Sequence, residues 1–138
     1  MQSNTRAGDL PVVAGEVLTG KEGLLVKLSS SNGVAVALLP TANTDQAQYV
    51  LIEGAALGEQ VTVRPLSPGR NVRVFLKGAV SAGDVMVLAD VATPADIGKV
   101  RKIPAVNGTY RGLGIAEADG VDGQLALVRP ISLGNITV

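Results

Sequence analysis

Gly15-Glu16-Val17-Leu18-Thr19-Gly20-Lys21 has the GxxxxGK spacing of a phosphate-binding loop. That loop needs Ser or Thr next, to hold Mg²⁺, and a helix N-terminus behind it to cradle phosphate. Here Glu22 follows, which would repel phosphate, and Leu24-Leu25-Val26 reads as a strand. Gly112-Leu113-Gly114 opens like a dinucleotide fingerprint, but Glu117 stands where its third glycine belongs and no βαβ unit surrounds it. These glycines read instead as a place where strands approach closely or bulge. Asp119-Gly120-Val121-Asp122-Gly123 sets two carboxylates in a turn, the kind of oxygen cluster that holds calcium. No acid lies at the distal position of a calcium-binding loop, so the segment reads as a plain connection.

The remaining inventory excludes most chemistry. The chain has no His, no Cys and no Trp, one Phe and two Tyr, and 12 basic against 12 acidic residues. Histidine general bases, thiolate nucleophiles and Cys/His metal sites are therefore ruled out. We expect no enzyme, no cofactor and no metal; only a carboxylate-pair mechanism of the glycosidase kind remains as a catalytic alternative. Zero net charge and scarce aromatics argue against nucleic acid. No apolar run approaches a membrane span, and Met1 to Pro11 lacks the apolar core of a signal peptide, so synthesis in the cytoplasm is expected. Two mildly basic stretches, Arg64, Arg70, Arg73, Lys77 and Lys99, Arg101, Lys102, Arg111, read either as solvated faces or as a patch for an acidic protein partner.

The elements that must position these residues are short strands. Gly, Pro or Asn-Gly punctuates the chain at roughly 8–12-residue intervals, the spacing of an all-β sandwich or barrel. Strands are expected at Val12 to Leu18, Leu24 to Leu28, Val34 to Leu39, Tyr49 to Glu53, Gln60 to Pro65, Asn71 to Leu76, Val85 to Ala89, Val100 to Ile103, Arg111 to Ala118 and Gln124 to Arg129. Asn32-Gly33 supplies the positive-φ pair of a hairpin. Thr93-Pro94-Ala95-Asp96 predicts one short helical turn, with Thr93 as N-cap. Glycine turns at Gly58, Gly83 and Gly123 each launch a β run. The expected fold is all-β: a small barrel or sandwich of short antiparallel strands, with one helical turn and an extended N-terminal arm. The expected organisation is an arm at 1–11, one β domain at 12–130, and a tail or edge strand at 131–138.

Lys77-Gly78-Ala79-Val80-Ser81-Ala82-Gly83-Asp84-Val85-Met86-Val87, Gly98-Lys99-Val100, Gly112-Leu113-Gly114-Ile115-Ala116-Glu117-Ala118 and Gly123-Gln124-Leu125-Ala126-Leu127-Val128-Arg129-Pro130 follow one another, after an N-terminal Val13-Ala14-Gly15-Glu16-Val17-Leu18. This pattern resembles the head-decoration, or capsid-cement, proteins of tailed bacteriophages, best over residues 70–130. The resemblance implies a β-rich, non-enzymatic virion protein on the capsid exterior that stabilises the expanded head. It also implies the major capsid protein as partner, self-association with a trimer favoured, and docking through a terminal arm, here 1–11 or 131–138.

Small aliphatic residues beside arms and turns are the candidate capsid or subunit contacts: Leu10, Val12, Val13, Leu57, Leu66, Ile131, Leu133 and Ile136. The alternative readings are another phage assembly component, of tail or baseplate, or a small β binding module.

Overall fold

A computed structural model describes residues 8–138; residues 1–7, most of the expected arm, lie outside the described residues. The first five strands are β1 (Leu10–Ala14), β2 (Leu25–Ser31), β3 (Val34–Leu38), β4 (Tyr49–Glu53) and β5 (Gln60–Pro65). They close into a barrel in the order β1-β3-β2-β4-β5, with β5 returning to β1. Antiparallel strands were expected throughout, but β1 and β3 run parallel, with Val13 opposite Val36. The reason is geometric: directions cannot alternate all the way round a ring of five, so one neighbouring pair must be parallel.

The second body holds β6 (Val72–Phe75), β7 (Val85–Leu88), β8 (Val100–Lys102), β9 (Thr109–Ala116), β10 (Leu125–Pro130) and β11 (Asn135–Thr137). Its order is β6-β10-β9-β7-β8, and β11 pairs with β9. A bridge from Leu76 to Val100, with Lys77 N–H donating to the Val100 carbonyl at 2.8 Å, draws this sheet back towards its own first strand. The all-β expectation therefore holds, in the form of one closed barrel and one strongly curled sheet.

Turns are built from one repeated device. Asp84 N–H closes on the Ser81 carbonyl at 3.0 Å, Glu59 on Ala56 at 3.1 Å and Gln124 on Val121 at 3.2 Å. Each puts a glycine in the left-handed region just before a strand, as with Gly83 at φ 93°. The predicted Asn32-Gly33 hairpin forms, with φ of 51° and 78°. The helical turn is a single 3-10 turn at Pro94–Asp96; Thr93 occupies the cap position but its side chain makes no capping bond.

Two cores meet at a seam. Val12, Ala14, Leu18, Val26, Ala37, Leu51, Val61 and Val63 fill the barrel. The second core holds Val74, Leu76, Met86, Leu88, Val100, Leu113 and Val128, and also takes Leu25 and Val50 from the barrel wall. Consecutive residues Leu25 and Val26, and again Val50 and Leu51, thus point into different cores. Period-two geometry makes this possible, and it is why both segments read as unbroken apolar runs.

The connection from Pro40 to Gln48 carries no regular element, yet one carboxylate fastens it. Asp45 Oδ2 accepts from Thr41 N–H at 2.7 Å, Ala42 N–H at 3.1 Å and Lys27 Nζ at 2.8 Å. Partial burial alone would raise its pKa; the Lys27 ammonium and the two amides outweigh that and hold it at about 2. Since the folded value lies below the ordinary 3.8, the stabilisation is full above that value and is lost as pH falls towards 2. Asp45→Asn is expected to cost about 1 kcal/mol at pH 7, discounted for solvent exposure, and almost nothing at pH 2. Urea unfolding of both proteins across that range reads the convergence; parallel curves would mean that Asp45 stabilises through shape alone.

Candidate interaction surfaces

The apparent nucleotide motifs are spent on structure. In the GxxxxGK segment, Gly15 N–H donates to the Ala37 carbonyl and Leu18 N–H to the Ala55 carbonyl, both at 2.9 Å. Amides that hold the barrel together cannot also cradle phosphate. In the GxG segment, β9 shifts register against β7 between the Met86–Gly114 and Val87–Gly112 pairs. A Cβ on Gly112 would sit 2.7 Å from Leu133 Cβ and 3.0 Å from Ile136 Cδ1. Close approach and a bulge both occur there.

The acidic turn is likewise structural. Asp119 Oδ1 accepts from Ala82 N–H and Asp122 Oδ1 from Gly78 N–H, each at 2.8 Å. The Gly78 bond, aided by Lys77 and Lys99 against slight desolvation, holds the Asp122 carboxyl below its ordinary value. The two acids thus tie their own turn to the loop of residues 78–82. Among the described residues, no group of three or more acids is placed to hold a metal. Asp96 is the buried acid, 6% exposed, with Lys99 Nζ at 3.5 Å and Lys77 Nζ at 3.6 Å. Two lysines facing one buried carboxylate make a charge-compensated brace for the 3-10 turn, and the same two lysines also act on Asp122.

The eight candidate contact residues do not form one site. Val12 needs correction: it is 8% exposed and belongs to the barrel core, because β1 begins at Leu10 and turns Val12 inward with Ala14. Leu10 is half-buried, opposite Val63, and packs on that core. Val13 and Leu57 come together, lining a groove with Val34, Val36, Leu38 and the serines at 29–31. Leu57, at the tip of a turn, is 64% exposed. Leu66 and Ile131 meet in a second hollow with Gln48, Pro68, Leu113 and Pro130; Ile131 is 40% exposed. Leu133 and Ile136 form a third group, packed over Gly112. They hold the last strand on β9, where Ile136 lies opposite Tyr110.

Sequence reading missed other surface. Val34 and Ala35 are exposed on the β2–β3 hairpin, beyond the reach of the β1 pairing. Ile52, Leu125 and Val106 are exposed large apolar residues. The Asn32-Gly33 turn was a usable signal for Val34, since residues beside a hairpin tip project from the barrel. Nothing in the sequence marks Ile52 and Leu125 as neighbours, because they lie on different bodies.

The geometry defines a class before it defines anything finer: an all-β protein of a closed five-stranded barrel fused to a curled sheet, with shallow surface grooves and no metal-holding cluster among the described residues. No helix among these residues is long and apolar enough to cross a membrane. The chain matches no protein-family profile and no curated protein. Its fold is similar to the crystal structure of the head fiber gp8.5 N base in bacteriophage phi29. The TM-score is 0.66 at 16% identity, covering 90% of this chain and 93% of that one. The shared fold thus extends over both bodies.

Proposed function

We propose that this chain is a structural virion protein of a tailed phage that binds the outer surface of the head shell and stabilises the expanded head. The observation that carries the proposal is the fold shared with a phage head fiber base over 90% of the chain. The residue inventory supports it: without histidine, cysteine or a metal cluster among the described residues, recognition is the work left to this surface. The partner in this reading is the major capsid protein, with a homotrimer as the bound form and, because β1 takes up the end of the expected 1–11 arm, its first part, residues 1–8, as a docking segment. Many weak contacts repeated over a shell make its dissociation costly, and that multivalency suits shallow grooves.

Co-sedimentation of the purified protein with expanded and unexpanded shells from the same source tests this. Saturable binding at a fixed ratio to the major shell protein, on expanded shells only, is expected. Binding to neither shell would sink the proposal and favour a tail or baseplate component. A sedimentation-equilibrium mass of three chains is the expected result for the trimer.

A further inference from the structure

Two shallow hollows lie along the seam between barrel and sheet. One, of about 450 Å³, is walled by Arg64, Arg70 and Arg73 over a floor that includes Val50, Ile52 and Leu127. The other, of about 230 Å³, shares Val50, Ile52 and Arg73 and continues to Phe75 and Leu125. Together they make one groove with an apolar floor and an arginine wall.

The charges are unequally satisfied. Arg64 donates Nε and Nη2 to the two oxygens of Asp9 at 2.8 and 3.1 Å, which anchors it. Arg70 and Arg73 are exposed and have no ion pair among the described residues, and residues 1–7 contain no acid that could supply one. No carboxylate lines the larger hollow, and the smaller has only Glu22. A fixed arginine flanked by two unpaired ones is a fork array suited to carboxylates. The groove accommodates a few side chains and offers one aromatic, Phe75, so it does not suit a stacked polynucleotide.

We propose that this groove docks an acidic segment of a partner protein, with carboxylates on Arg70 and Arg73 and an apolar side chain on Ile52 and Leu127. That the partner is the shell protein rests on the function proposed above; the chemistry of the groove does not.

The test uses the full chain, labelled with ¹⁵N, and the capped peptide Asp-Glu-Leu-Asp-Glu-Leu. Amide shifts are expected at Ile52, Arg70 to Arg73 and Leu125 to Leu127, weakening as salt rises. The double variant R70E/R73E alters two exposed residues, so its melting midpoint should match the parent, while its affinity for the peptide falls at least about tenfold. The peptide Lys-Lys-Leu-Lys-Lys-Leu should cause no shifts. Absence of shifts in the groove, unchanged affinity in R70E/R73E, or tighter binding of oligo-dT would each overturn the proposal. The same variant in co-sedimentation should bind shells at least about tenfold more weakly. Equal binding of parent and variant would remove the groove from shell docking and leave shell binding intact. Failure of the parent to bind would overturn the shell as partner, while the peptide titration still decides the groove.

Discussion

Replacing Gly114 with alanine is expected to cost on the order of 4 kcal/mol, beyond the usual range for an overpacked site, and to leave much of the protein unfolded at 37 °C. Gly114 lies in β9 opposite Pro130 of β10. A Cβ there would fall well inside contact distance of the Arg129 carbonyl oxygen, with the Arg129 carbonyl carbon at 2.9 Å and Pro130 Cα at 3.0 Å. All three are backbone atoms, so no rotamer change relieves the clash. Relief requires β10 to move off β9, which breaks the Val128–Ala116 and Arg129–Ile115 pairs and opens the core beneath Val128 and Leu113. Two controls isolate the cause. Gly83→Ala meets nothing within 4 Å but forces alanine into the left-handed region, for a cost of about 1–2 kcal/mol. Gly69→Ala has 3.9 Å to Ser67 Oγ and no positive φ, so it should be neutral or slightly stabilising. Urea unfolding followed by far-ultraviolet circular dichroism ranks the three. A Gly114→Ala protein within about 1 kcal/mol of the parent would refute this account of the β9–β10 contact.

Gly114 also shows what could be read from the sequence. A GxG without a βαβ frame reads as close approach or a bulge, and β9 shows both: Gly114 meets the β10 backbone, and the register against β7 shifts between Gly112 and Gly114. Asn32-Gly33 and the period-two run Val72, Val74, Leu76 were legible for the same reason: each is a local rule with one outcome. Illegible features depend on what lies across the fold. Val12 sits beside a terminal segment and looks like surface, but a neighbour far along the chain, Val61, pairs with it and closes the barrel. The parallel β1–β3 contact follows from ring closure, which no local pattern records. Arg70 and Arg73 read from the sequence either as solvated charges or as part of a patch for an acidic partner, with nothing local to decide between them. They become a wall only when the seam sets them beside Ile52 and Leu127.

Two truncations are expected to behave oppositely, and the contrast locates the docking segment. A chain beginning at Asp9 retains the whole of β1 and the paired Arg64, whose guanidinium holds the Asp9 carboxyl below its ordinary value. Its unfolding curve should match that of the full chain. Its affinity for expanded shells should fall about a hundredfold, because one arm of a multivalent attachment is gone. A chain beginning at Val12 loses more than an arm. Asp9 leaves Arg64 unpaired, and the Leu10–Val63 and Pro11–Thr62 pairings disappear. Leu10 also no longer covers the barrel core, for a combined cost of about 2–3 kcal/mol. Loss of binding in that longer truncation alone would therefore report a weakened barrel. Loss in the chain beginning at Asp9, at full stability, can only report missing contacts. If that chain instead binds like the parent, residues 1–8 do not dock, and attachment belongs to the β body, where the arginine groove is the surface proposed above.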